Sequence, residues 1–238
     1  EYITKKSLYL EDDTIKMLQR GKDIFESIVS KEEARRITDG IHEKSLEYQK
    51  SKGEEPKGLN QGQREAIEVM LTSNDRIFCW QGVAGAGKTF SLYSATRIAL
   101  EKGYKIKGLA PSSEAKDNLA KEAKLNEAST VASLLATPSQ INDSNGGREL
   151  WIVDEAGLLS AKDAHDLIQK AEIENARILF VGDTKQLSSV GAGNPFKQLQ
   201  QHGMETAHLT EGMRQKDLTM KISVDLVAAK EYQKGLEH

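Results

Sequence analysis

The stretch GVAGAGKT, Gly82 to Thr89, decides the fold of this chain. It matches the phosphate-loop pattern G-x-x-x-x-G-K-[ST] in full, and a chance match in a chain of this size is on the order of one in a hundred. An apolar run, RIFCW (76–80), leads into it, and a helix-forming run follows at about 88–101. In that setting Gly82, Gly85 and Gly87 let backbone N–H groups turn inward around an anion, and the N-terminus of the next helix adds a favourable dipole. Lys88 supplies a point charge for the outer phosphates of ATP, and the Thr89 hydroxyl takes a place on Mg2+. The competing reading is an ordinary glycine-rich turn with a surface lysine.

Outward from the loop, strands and helices alternate. YKIKGLA (104–110), ELWIVD (149–154) and ARILFVG (176–182) read as buried strands. Ser112 or Ser113 caps a helix running to about Lys124, a second helix lies around 161–171, and Pro195 and Gly203 bracket a short third. Such alternation predicts an α/β fold, a mainly parallel sheet with helices on both faces. Residues 1–57 differ: they are charge-dense and helical in pattern, with SKEE (Ser30 to Glu33) spaced as a capping box. Ala34, Ile37, Ile41, Ser45 and Tyr48 then share one face, and QKSKGEEPKG, ending at Gly58, reads as a linker. The expected organisation is a helical lead-in and linker at 1–57 and an ATPase domain at 58–235.

Composition narrows the classes. The 238 residues are 29% charged and 38% hydrophobic with a formal charge of −3, enough for one large domain or one domain plus a small appendage. One cysteine, Cys79, excludes a disulfide framework and fits a reducing cytoplasmic setting. No apolar run reaches the length of a membrane span, and there is no cationic leader. His42, His165, His202 and His208 lack metal-ligand spacing. The missing initial methionine and the terminal LEH suggest a piece of a longer protein, with 236–238 left from a purification tag.

Further candidates lie after the other strands. In WIVDEA, Asp154 ends a buried strand, where a carboxylate is costly unless it meets a cation. Beside the phosphate loop it would bind Mg2+, and Glu155 would act as general base for an attacking water. A DE pair read alone is also a helix N-cap. VGDTKQLSSVGAG (181–193) carries Asp183 and Gln186 to the same sheet edge, where ligands of open parallel sheets bind. It lacks the lysine and hydroxyl of a second phosphate cradle. The neutral Gln186 amide can both donate to a γ-phosphate oxygen and accept from water, so it can report the third phosphate. Gln63, in LNQGQREAI (59–67), stands just before the first strand, where its amide can read the edge of adenine. Arg214, in LTEGMRQ (209–215), follows another strand and offers a guanidinium to the γ-phosphate transition state.

In this order LNQGQREAI, QGVAGAGKT, GLAPSSEAKDNL, STVASLL, WIVDEAGLLS, FVGDTKQLSSVGAGNPFKQL and LTEGMRQ resemble the first motor domain of RecD-like superfamily-one helicases. They look most like the helicase part of conjugative relaxases of the TraI/TrwC type. Even YITKKSLYLEDDTIKML resembles the helical lead-in of that family. The resemblance implies a RecA-like P-loop NTPase that hydrolyses ATP and moves along single-stranded DNA. By match, Gln63 would contact the base, Lys88 and Thr89 the phosphates and metal, and Asp154 and Glu155 the metal and water. Gln186 and Arg214 would sense the γ-phosphate, while Ser112, Ser113 and Thr130 would touch the DNA backbone. Gly157 and Gly212 depart from the usual pattern, which has serine after DEA and a bulky apolar residue before RQ. The family also implies a second RecA-like domain and an upstream relaxase domain in the full-length chain, so ATP hydrolysis by this chain alone is expected to be weak. The rival readings are a repair or recombination helicase, a module that grips single strands without catalysis, and a P-loop kinase. Aromatics make up only 5%, so DNA affinity would come mainly from phosphate contacts and fall with salt.

Overall fold

The computed structural model describes residues 5–82, 87–140, 148–185 and 194–209. Two helices, α1 (Lys5–Arg20) and α2 (Lys31–Ser51), precede α3 (Gln61–Thr72) and the first strand, β1 (Ile77–Gly82). Then come α4 (Lys88–Glu101), β2 (Lys105–Ala110), α5 (Ser113–Glu122), β3 (Ala128–Thr130) and α6 (Val131–Ala136). The remainder is β4 (Glu149–Val153), α7 (Ala161–Ile173), β5 (Arg177–Gly182), α8 (Pro195–Gln201) and β6 (Glu205–Leu209). The strands form one sheet in the order β3-β2-β4-β5-β1-β6, and every pairing is parallel. From β1 the chain crosses to β2, returns through β4 and β5, and lays β6 on the other flank of β1. The carboxyl end of β1 therefore lies at a topological switch point, where α/β sheets bind ligands. This is the RecA-like arrangement that the resemblance implied.

Both faces of the sheet are covered, so the central strands β1, β4 and β5 are buried almost throughout, and their alternate residues serve different cores. Phe78, Trp80, Ile152, Leu179 and Val181 pack with residues of α2, α3, α4 and α5. Their neighbours Ile77, Cys79, Trp151, Val153, Ile178 and Phe180 pack with residues of α1, α6, α7 and α8. The lead-in is thus part of both cores: Met17 and Leu18 of α1 join one, and Ala34, Ile37 and Ile41 of α2 the other.

Two local expectations need correction. Ser30 does cap α2, accepting from Glu33 N, but Glu33 does not complete the box; its carboxylate accepts from Lys102 Nζ at 2.6 Å instead. A complete box occurs at α3, where Asn60 Oδ1 accepts from Gln63 N and Gln63 Oε1 accepts from Asn60 N. The stretch read as a linker begins inside α2, and its C-terminal half folds back on that helix. Buried Gln49 accepts from the backbone N–H groups of Lys57 and Gly58, at 2.6 and 3.1 Å. His42 Nδ1 accepts from Leu59 N at 3.0 Å. The short strand β3 was not anticipated, because only its pairing with β2 makes it a strand.

Candidate nucleotide site

β1 delivers the chain to Gly82 and α4 begins at Lys88, which puts both ends of the glycine loop at the carboxyl edge of the sheet. Gly82 lies so close to β6 that a Cβ there would stand 2.9 Å from Leu209 Cβ. Gly87 has a left-handed backbone, φ 77°, and a Cβ would meet Gln63 Nε2 at 2.2 Å. The left-handed backbone favours glycine there, and any side chain would also have to displace the Gln63 amide. Gln63 is buried against this turn: its carbonyl is used in capping α3, and its Nε2 faces Gly87 O at 3.5 Å. Lys88 Nζ donates to Gly82 O at 3.0 Å, and Thr89 Oγ1 donates to Glu122 Oε2 at 2.9 Å. Gly85 lies outside the described residues.

β4 brings the two acids to the same edge. Asp154 N extends the ladder to Leu109 O at 2.9 Å, and its carboxylate accepts from Glu155 N at 2.8 Å. Burial raises the Asp154 pKa; the Glu155 N–H bond and the Lys88 charge oppose the rise, and Glu122 adds to it. Glu155 is raised too, by burial first, then by Asp154 and Glu114, with Lys88 opposing. Glu155 also holds φ at 53°, a left-handed conformation that costs a non-glycine residue roughly 1–3 kcal/mol. The turn after it, Ala156–Leu158, packs so tightly that a Cβ on Gly182 of β5 would lie 3.0 Å from Gly157 N.

The root of the second glycine-rich stretch is held by an amide that sequence reasoning passed over. Gln81 Nε2 donates to Asp183 Oδ1 at 3.0 Å, and Gln81 Oε1 accepts from Thr184 N and Gln200 Nε2 at 3.2 and 3.1 Å. Asp183 Oδ1 also accepts from Lys185 N. Gln186 and Arg214 lie outside the described residues, as does Gly212. On neighbouring strands, Ser112 caps α5 by accepting from Ala115 N, and Thr130 caps α6 by accepting from Ser133 N. Ala110 and Thr130 are paired across β2 and β3, so the two helix N-termini stand side by side, with exposed Ser113 opening α5.

This donor set suits a nucleotide-borne Mg2+. Among the described residues no three His, Cys, Asp or Glu side chains gather as a metal cage. Mg2+ commonly takes only one or two protein oxygens and leaves the rest to phosphates and water, and Thr89 and Asp154 supply such a pair. Glu122, which holds Thr89, had no signal in the sequence, since it ends a helix away from any motif. Gln81 had one: it directly precedes the loop.

The AAA domain family pattern matches residues 58–238. The chain belongs to the AAA domain family. The chain is 32% identical over 170 residues to "Conjugal transfer protein TraA" of Agrobacterium fabrum, covering 71% of this chain and 15% of the relative. It is 28% identical over 173 residues to "Multifunctional conjugation protein TraI" of Escherichia coli, covering 68% of this chain and 10% of that protein. "ATP-dependent RecD2 DNA helicase" of Deinococcus radiodurans is 32% identical over 164 residues, covering 67% of this chain and 22% of the helicase. The conjugation proteins and RecD2 are the relatives that the motif order implied. The chain spans only a small part of their length. No helix among the described residues is long and apolar enough to cross a membrane.

Proposed function

We propose that residues 58–235 form the ATP-binding half of a helicase motor that moves along single-stranded DNA, acting within a conjugative relaxase in the cytoplasm. The observation that carries this reading is the convergence of Lys88, Thr89, Asp154 and Glu155 at one sheet edge, with two hydroxyl-capped helix N-termini presented nearby on β2 and β3.

In this reading the glycine turn and the α4 N-terminus hold the phosphates, and Lys88 moves from Gly82 O to the outer phosphates. Thr89 and Asp154 hold Mg2+, which when bound neutralises developing charge on the transferred phosphoryl group. Glu155 accepts a proton from the attacking water; burial, which raises its pKa, makes its carboxylate a stronger base. Gln63, packed against Gly87, contacts the base in this reading, and Gln186 and Arg214 sense the γ-phosphate. The Asp183–Gln81–Gln200 network fixes the chain just after β5, at Asp183 and Thr184. Ser112 and Thr130 keep hydroxyl protons free for DNA phosphates while their oxygens cap the helices, and exposed Ser113 offers its hydroxyl beside them. A second RecA-like domain would complete the cleft, and an upstream relaxase domain would supply nicking. The RecD2 similarity equally admits a repair helicase of the same mechanism.

The test is fluorescence anisotropy of a labelled single-stranded oligonucleotide at low salt, without nucleotide, with ADP, and with a non-hydrolysable ATP analogue. Affinity should differ between nucleotide states, and the difference should vanish in Lys88→Ala. Equal binding in every state would favour a gripping module, and no binding would leave a nucleotide-binding domain alone.

A further inference from the structure

Helix α5 reaches the nucleotide site at its far end. It lies tightly on β2 because Gly108 has no side chain: a Cβ there would stand 2.7 Å from Leu125 Cδ1 and 3.2 Å from Leu119 Cδ2. Leu119 is buried in the core shared with α4, and Lys124 Nζ sits 5.3 Å from the centre of the Tyr93 ring of α4. This packing sets Glu122, in the last turn of α5, beside the first turn of α4, where its carboxylate accepts the Thr89 hydroxyl at 2.9 Å.

A hydroxyl has one proton and two lone pairs. With no partner it can point that proton at an incoming cation and repel it. We propose that Glu122 is a positioning residue for the divalent cation of this site, taking the Thr89 proton so that the oxygen lone pairs stay available to the metal. Outer-shell acceptors of this kind orient metal ligands and raise their basicity, and their loss typically costs about 10–100-fold in metal affinity. Glu122 touches neither phosphate nor metal in this scheme; it acts through Thr89. The role rests on the nucleotide reading above.

The experiment uses the whole chain and a fluorescent, non-hydrolysable ATP analogue, titrated with Mg2+ and, in parallel, bound in EDTA. Mn2+ binding in the presence of ADP, followed by electron paramagnetic resonance, gives the metal affinity directly. In Glu122→Ala the Mg2+ midpoint and the Mn2+ Kd should rise about tenfold or more, while analogue affinity in EDTA stays within about twofold. Glu122→Gln, whose amide oxygen accepts the same hydrogen bond, should recover most of the loss and keeps the test alive if the alanine variant folds poorly. In a Thr89→Ala background, Glu122→Ala should add little. An unchanged Mg2+ midpoint, or the same loss with and without metal, would overturn the proposal. So would a glutamine variant as weak as the alanine variant, since charge alone would then be the cause. A wild-type chain that binds no analogue in Mg2+ or EDTA would instead sink the nucleotide reading and the role of Glu122 with it.

Discussion

The two edges of the sheet bury charge to opposite ends. At the amino edge, Arg76 Nη1 donates to Ala171 O and Ala176 O at 3.0 and 2.8 Å, and Arg177 donates to the carbonyls of Ser73 and Asp75. The Phe25 ring lies against both guanidinium groups, 4.9 and 5.4 Å from its centre, and Phe78 takes the other contact with Arg177 at 5.2 Å. Burial lowers both arginine pKa values, opposed by Glu172 at Arg76 and by Tyr104, Asp75 and Glu205 at Arg177, yet guanidinium stays charged. Its contacts are fixed protein carbonyls and ring faces, while Arg76 Nε and Arg177 Nη1 have no hydrogen-bond partner among the described residues. At the carboxyl edge, Asp154 and Glu155 are raised by burial, and among the described residues Lys88 is the cation acting on both of them. A buried charge held by carbonyls and ring faces of its own protein is a clamp. A half-buried charge short of counter-charge is a receptor.

Removing Arg177 tests the clamp and carries the largest expected effect. Arg177→Ala strands the buried carbonyls of Ser73 and Asp75 and leaves a cavity, so urea unfolding should report a loss of about 3 kcal/mol. Nucleotide affinity of the folded fraction should not change; a parallel fall would mean the edges are not independent. Lys88→Ala tests the receptor. Losing a charge-assisted contact to phosphate should weaken ATP-analogue binding about thirtyfold, close to 2 kcal/mol, with no fall in the urea midpoint.

The smallest effect concerns Asp154 in the metal-free chain. An acid whose folded pKa is raised contributes stability below its unfolded value and loses it as pH rises through the folded value. At neutral pH Asp154 therefore weakens the metal-free chain. Asp154→Asn should raise Tm at pH 7, and the gain should close as pH falls toward 3.8, the ordinary aspartate value. Mg2+ with nucleotide should reverse the order, stabilising the native chain more than the variant. A gain that persisted at low pH would place its cause in packing rather than charge.

Much of this fold was legible in the chain itself. Helix α4 spans Lys88–Glu101, the limits read from the loop and the run after it, and β2, β4 and β5 begin and end within a residue of their apolar runs. Those signals are local: an apolar strand, a glycine stop, a hydroxyl cap. The family, too, was carried by motif order along the chain, and the candidate residues Lys88, Thr89, Asp154 and Glu155 stand at the ends of the elements that the motifs marked. The candidate site was less complete. Glu122, Gln81 and Gln200 enter it through contacts 33, 102 and 119 residues apart in sequence, which no local pattern encodes. Tertiary structure alone decided the strand order, the existence of β3, the absorption of α1 and α2 into both cores, and the left-handed turn at Glu155. Each depends on which distant surface an element meets, because burial and hydrogen bonding across that surface, rather than the preference of any single segment, set its free energy.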